Sequence, residues 1–172
     1  MKAITLWQPW ASLLACGAKK YETRSWTTKY RGEIAIHAAK KPIEKTLNEM
    51  FPRIEGVTAA EIEFIGAVRE HLGDDDNFIY GAVIATAELV ECHEIHRYGG
   101  RGITSKTPGW LEKGETEDEI YYPEGCELLF GDWSPGMYAW EFRNMKILDN
   151  PIPAKGGMRL WDWTKSEGRS DE

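Results

Sequence analysis

Hydrophobic residues recur along this chain at two spacings, and the switches between them divide it into elements. "AITLWQ" alternates weakly and predicts a strand. Pro9 stands where proline is tolerated, in the first turn of a helix predicted over residues 10–18, and Gly17 is placed to stop it. "YETRSW" and "RGEIAIHAA" are β-rich runs separated by "TTKYRG", which together predict a hairpin. From Ile43 to about His71 the spacing lengthens to three or four residues. Leu47, Met50 and Phe51 mark one helix, Ile62, Ile65, Val68 and Leu72 a second, with a break around Pro52 and Gly56. Alternation returns in "YGAVIATAELVECHEI", a long strand, and in "GMYAWEFRNMKIL", which Pro151 and Pro153 are expected to end before the closing "LWDW".

Between those last two strands, residues 97–126 are rich in Gly, Thr, Glu and Tyr with little periodicity. They read as an irregular insertion carrying Trp110, the candidate for a mobile flap, and the tail 166–172 reads as frayed. Strands before, between and after two central helices predict an α+β domain over residues 1–165. Short strands joined by tight turns predict a mixed sheet curled into a small β-barrel with flanking helices.

Composition narrows this without changing it. At 172 residues, 42% hydrophobic and 28% charged, the chain suits one globular domain with a real core. The start lacks the features of a secretory leader and no run approaches the roughly 18 apolar residues of a membrane span, so no membrane partner and a cytoplasmic location are expected. Cys16, Cys92 and Cys126 cannot all pair and read as free thiols. In "ECHEIH", Cys92 and His93 are adjacent and would face opposite sides of a strand, with Cys126 distant. No metal site is expected there, and with no Walker loop or dinucleotide fingerprint no cofactor is expected either.

Charge changes the picture more. The net charge is -7, but residues 1–53 hold 10 Lys or Arg against 4 Asp or Glu, while residues 54–172 hold 11 against 24. A basic N-terminal third can present a local positive face to a polyanion, because screening over roughly 8 Å limits how far the acidic part is felt. Within that third, "CGAKKYETRSW" gathers Lys19, Lys20, Glu22 and Arg24 at a strand entry. Lys19 can neutralise a phosphate, Arg24 can fork onto a phosphate or a base edge, and Glu22 can accept from an amino group or hold Arg24. Two residues apart on a strand, Glu22 and Arg24 share a face that Trp26 continues, and Thr23 takes the other. The plainer alternative is an internal ion pair bracing the barrel. Lys19, Glu22 and Arg24 are expected to line one concave, partly exposed pocket close to Trp10, with Lys19 meeting something anionic.

Around them, Trp7 and Trp10 bracket Gln8, which can read a base edge. Trp7, on the strand, is expected to be mostly buried, and Trp10 to reach the cleft as a stacking wall. His37 alternates with Ile34 and Ile36, either a satisfied barrel histidine or a site residue. Ser12 is placed to donate to a phosphate from the helix start. Glu141, between Trp140 and Phe142, needs a partner that Lys19, Arg24 or a bound base could supply.

Four segments together carry a family resemblance: "LWQPWASLLACGAKKYETRSW", "YRGEIAIHAAK", "YAWEF" and "PIPAKGGMRLW". They resemble the ASCH family, whose fold is similar to the PUA RNA-binding barrel, and the family signature G-x-K-x-x-E-x-R is matched by Gly17, Lys19, Glu22 and Arg24. Residues 43–78 and 97–126 look like family-variable insertions. The resemblance implies that the signature lies in a cleft beside the barrel that binds RNA or a nucleotide. It also implies an alternative, since some relatives look like ribonucleases or like small amidohydrolases acting on acylated cytidine nucleosides. In the latter a lysine aligned with Lys19 works with a threonine nucleophile. Here the threonine's position is Glu22, which leaves Glu22 as a general base on water beside Lys19.

Overall fold

A computed structural model of the protein describes residues 1–52, 57–74, 77–97, 103–106 and 123–164. Most of the expected 97–126 insertion, Trp110 included, and the 166–172 tail lie outside the described residues.

The chain runs β1 (Lys2–Leu6), α1 (Trp10–Ala15), β2 (Tyr21–Arg24), β3 (Gly32–Ala38), α2 (Ile43–Met50), α3 (Ala59–Leu72), β4 (Ala82–Arg97), β5 (Ile103–Lys106), α4 (Cys126–Leu129), β6 (Tyr138–Pro153) and β7 (Leu160–Asp162). The strands form one mixed sheet ordered β2-β6-β4-β3-β1-β7, with β5 paired to β4. Among the described residues, only β1 and β3 run parallel, with Ile4 opposite Ile36. This is the α+β curled sheet that the pattern predicts, a half-barrel consistent with the PUA-like fold that the resemblance implies. Curvature comes from β4, whose pairing with β6 slips between Val83 and Ala85, Thr86 and Glu88, and Leu89 and Glu91. Each irregularity adds twist and bends the strand.

Inside the curl, Ile4, Leu6, Ile34, Ile36, Leu89, Trp140 and Phe142 form the main core with Ala11 and Leu14 of α1. Full burial of each large side chain stabilises by about 1.5–3 kcal/mol. Leu13, just before Leu14 on α1, turns the other way and packs on Phe64, Ala67 and Val68 of α3 and on Phe130. Helix α1 is thus wedged between barrel and outer helix, which fixes both of its ends.

Four expectations are corrected. The predicted 10–18 helix ends at Ala15, with Gly17 at φ 83° turning the chain. No β2–β3 hairpin forms. β2 pairs antiparallel with β6, Glu22 opposite Trp140, and β3 lies between β1 and β4. Alternation tells which face a strand buries but not which strand it meets, and here Trp26 and Trp140 decide. Their rings meet edge-on at 4.6 Å and the Trp140 indole N–H donates to the Trp26 carbonyl. Strand β6 continues through Pro151 and Pro153, because β2 pairs only with Tyr138–Glu141 and, among the described residues, no strand pairs with that edge of β6 further along. On α3 the buried face is Glu61, Phe64, Ala67 and Val68, while Ile62 is exposed.

Among the described residues, no helix is long and apolar enough to cross a membrane.

Candidate functional site

The site begins where β1 ends. After Leu6 the chain turns through the cis Gln8–Pro9 bond into α1. Gln8 is fully buried, its Oε1 accepting from the Ser12 amide at 3.2 Å and its Nε2 donating to the Ile79 carbonyl at 2.9 Å. With both ends of its amide engaged, Gln8 holds the turn and is not among the pocket-lining residues. The turn leaves Trp7 at 47% exposure, against the expectation of burial, because β1 has already ended at Leu6. The Lys41 ammonium sits 3.5 Å over the Trp7 ring.

At the other end of α1, the Lys19 amide donates back to the Leu13 carbonyl at 3.1 Å and the chain enters β2. The entry is clamped from α4, where the Glu127 carboxylate accepts from the Lys20 and Tyr21 amides at 2.9 and 3.1 Å. Lys19 therefore turns inward. At 1% exposure it donates to the Phe130 carbonyl at 2.7 Å and lies 3.4 Å from Glu22 Oε2. Glu22 Oε1 lies 3.1 Å from Arg24 Nε, and Arg24 Nη2 donates to the Thr5 carbonyl at 3.0 Å. The result is a relay from Phe130 through Lys19, Glu22 and Arg24 to the end of β1. One donor in it is open: the buried Arg24 Nε is close to Glu22 but not aligned for a hydrogen bond.

The outer end of the relay floors a pocket of about 330 Å³. Glu22, Thr23 and Arg24 form its base, Trp7, Trp10, Met50, Leu129 and Phe130 its apolar walls, and Thr5, Gly131 and Asp132 complete the lining. Trp10 is braced by Phe64, with ring centroids 6.1 Å apart. Lys19, expected among the lining, is beneath the pocket instead. Its charge would be too costly to bury without partners, and Phe130 and Glu22 supply them. Thr23, expected to face away, reaches the pocket because β2 is the edge strand; its Oγ1 accepts from the Asp132 amide at 2.8 Å.

Two expected residues lie elsewhere. Glu141 opposes Tyr21 in the sheet and bonds His93 Nε2 at 2.9 Å and Arg143 Nη2 at 2.8 Å, so its partners are neither Lys19 nor Arg24. Burial alone would raise its pKa, but these two hydrogen bonds outweigh it and hold the carboxyl below its ordinary value. Tyr21 beside it is raised, by burial first and then by Glu141 and Glu127. His37 is buried under the C-terminal segment, Nε2 donating to the Ala154 carbonyl at 3.1 Å, and burial lowers its pKa.

Glu127, Thr5, Asp132 and the Phe130 carbonyl escape sequence reading, since three act through loop or main-chain geometry and Glu127 sits at the end of an aperiodic stretch. Cys92 is buried, which pushes its thiol up. Cys126 lies away from Cys92 and His93: among the described residues it, Glu70 and His71 place one ligand atom each within 4.8 Å of one another.

With this geometry in view, comparison with known proteins adds a family. The ASCH domain pattern matches residues 4–148, which include every residue of the pocket. Human (Homo sapiens) activating signal cointegrator 1 is 31% identical over 90 residues, and the mouse (Mus musculus) protein of the same name 29% over 90. Those segments are 52% of this chain but 14% of the relatives, so the chain corresponds to a small part of each.

Proposed function

Taking as premise that the chain belongs to the ASCH domain family, we propose that it binds RNA or a nucleotide, with one base held in the pocket built on Lys19, Glu22 and Arg24. The observation that carries this is the pairing of a carboxylate and a guanidinium at the floor of an aromatic-walled pocket, with one buried guanidinium N–H lacking an aligned acceptor. A base edge that offers a donor beside an acceptor complements that floor, since carboxylates accept from exocyclic amino groups and arginine donates to ring carbonyls or nitrogens. Trp7 and Trp10 provide faces on which a base stacks for roughly 1–3 kcal/mol. The volume of 330 Å³ is at the small end for ligand pockets and suits one base or nucleoside.

Lys19 has an indirect part in this reading. Its buried ammonium fixes the Glu22 carboxylate, so that Arg24 and Glu22 present a preset pair at no further ordering cost when ligand arrives. Calorimetric titration of the four ribonucleosides and of a short single-stranded RNA into wild type, Arg24→Ala and Trp10→Ala tests it. Binding by wild type that weakens tenfold or more in both variants is expected. Equal affinity in all three folded proteins would refute it. Product formation from RNA or acylated cytidine nucleosides, abolished in Glu22→Gln, would replace binding with hydrolysis as the function.

A further inference from the structure

The "PIPAKGGMRLW" segment lies outside the pocket, yet it builds a second cleft against the same strand. Thr5 joins the two. Its carbonyl accepts from Arg24 on the pocket side, its Oγ1 accepts from the Trp161 indole N–H at 3.1 Å on the other, and it lines both cavities. The second cleft is open, about 930 Å³, and its lining includes Lys40, Lys155, Gly156, Gly157 and Met158 but no acidic side chain.

Three features of that cleft point to an anion. First, Lys40 and Lys155 have no ion-pair or hydrogen-bond partner among the described residues, in a protein of net charge -7. Second, the Lys40 stem lies along the cleft lining, over Gly81, where a Cβ would come within 2.7 Å of Lys40 Cε. Third, the glycine pair forms a flat cradle. A Cβ on Gly156 would strike His37 Cε1 at 2.6 Å and Thr5 Oγ1 at 2.9 Å, and one on Gly157 would strike the Trp161 ring at 2.7 Å. The loop can therefore press onto β1 and β3 only as glycine. Among the described residues, the amides of Gly156 and Gly157 have no acceptor, which leaves both able to donate to a ligand. Main-chain N–H groups and lysine ammonium groups are both donors from which phosphate oxygens accept. His37 supports the cradle from below through its bond to the Ala154 carbonyl.

We propose that this cleft is a phosphate subsite for the nucleotide next to the one in the aromatic pocket, so that the ligand is a single-stranded oligoribonucleotide and not a free base or nucleoside. The inference rests on the pocket reading above and extends it across Thr5. Met158, 91% exposed at the cleft rim, is an apolar contact for the neighbouring base.

The test compares wild type with Lys40→Gln, Lys155→Gln and the double variant, each confirmed folded by an unchanged melting curve. Ribonucleosides and a six-nucleotide single-stranded RNA of mixed sequence are titrated at several salt concentrations. Nucleoside affinity is expected to be unchanged. RNA affinity is expected to fall about fivefold to tenfold per lysine, and the double variant's log-log salt slope to become shallower by roughly 1.4, from about 0.7 per phosphate contact on a single strand. Unchanged RNA affinity and slope in the double variant, with Arg24→Ala still weakening binding, would overturn the subsite and leave the pocket standing. RNA binding that depends on the lysines but not on Arg24 or Trp10 would overturn the pocket and, with it, the proposed continuity. A wild type that binds neither probe would overturn both.

Discussion

Replacing Lys19 with methionine keeps the length of the side chain and removes only the ammonium, so it isolates what the buried charge does. Two acceptors lose their donor. The Phe130 carbonyl, 2.7 Å from Nζ, becomes a buried acceptor without a partner, a loss of about 1–3 kcal/mol. Glu22, 8% exposed, loses one of its two cations. Removing one member of a buried pair costs about 3–5 kcal/mol when the other charge is left alone, and less here because Arg24 stays. Burying the methionine thioether returns about 1–2 kcal/mol. The expected net loss is about 3 kcal/mol, or a melting temperature lower by roughly 6–12 °C for a chain of this size. Urea unfolding with an unchanged m-value reads it directly. A solvent-facing lysine serving only to meet a phosphate would change stability by less than about 0.5 kcal/mol. A midpoint within that margin would refute the burial argument. In the Lys19→Met, Glu22→Gln double variant the carboxylate no longer needs the ammonium, so the combined loss should fall short of the sum by about 1–2 kcal/mol.

Trp7→Ala should weaken nucleoside binding about tenfold with stability unchanged, because the ring is half exposed; Trp10→Ala should weaken it similarly and also lower the urea midpoint, through lost packing on Phe64. Glu127→Ala, which touches no ligand, should destabilise by about 1–3 kcal/mol and weaken binding, since the Lys20 and Tyr21 amides that set the start of β2 lose their acceptor. His37 is held neutral by burial, so between its lowered folded value and the ordinary 6.5 the unfolded chain binds a proton that the folded chain does not. Stability should therefore rise with pH across that window and level off above about 6.5, and His37→Gln should flatten the rise in urea midpoints measured from pH 5 to 8. Glu141 contributes in the opposite sense of charge: its lowered carboxyl stabilises above the ordinary 4.5, and that contribution should be lost as pH falls through the folded value, a loss that His93→Gln diminishes.

The strands, the two middle helices and the curled sheet were legible because each buries one face and the spacing of apolar residues records it. Partnering was not. "YETRSW" carries no mark that its neighbour is "YAWEF", over a hundred residues away, and the choice rests on the Trp26–Trp140 contact. The prolines of β6 misled for a related reason: whether a missing N–H matters depends on which edge is covered, a property of the assembled sheet. At the site, residue types and strand parity brought Glu22 and Arg24 together, whereas the depth of Lys19 was hidden, because its partner is a main-chain carbonyl that any residue at position 130 would offer.

That depth explains the order of the residues in the signature. Gly17 must come first, since only the left-handed turn at φ 83° lets the chain reverse out of α1 and send the next side chains under the pocket. Lys19 follows while the chain is still beneath it, and reaches Phe130. Three residues on, Glu22 stands at the boundary, nearly buried, one oxygen toward Lys19 and the other toward Arg24. Arg24, two further along the strand on the same face, is the first to present charge outward, tied to Thr5 by one nitrogen. Reading from Lys19 to Arg24 is therefore reading from inside to outside. A change at each position should shift from a stability defect toward an affinity defect in that order, with Glu22 showing both. That gradient, measured as urea midpoint against RNA affinity for Lys19→Met, Glu22→Gln and Arg24→Ala, is what an internal brace alone would not produce, because a brace without a ligand has no affinity to lose.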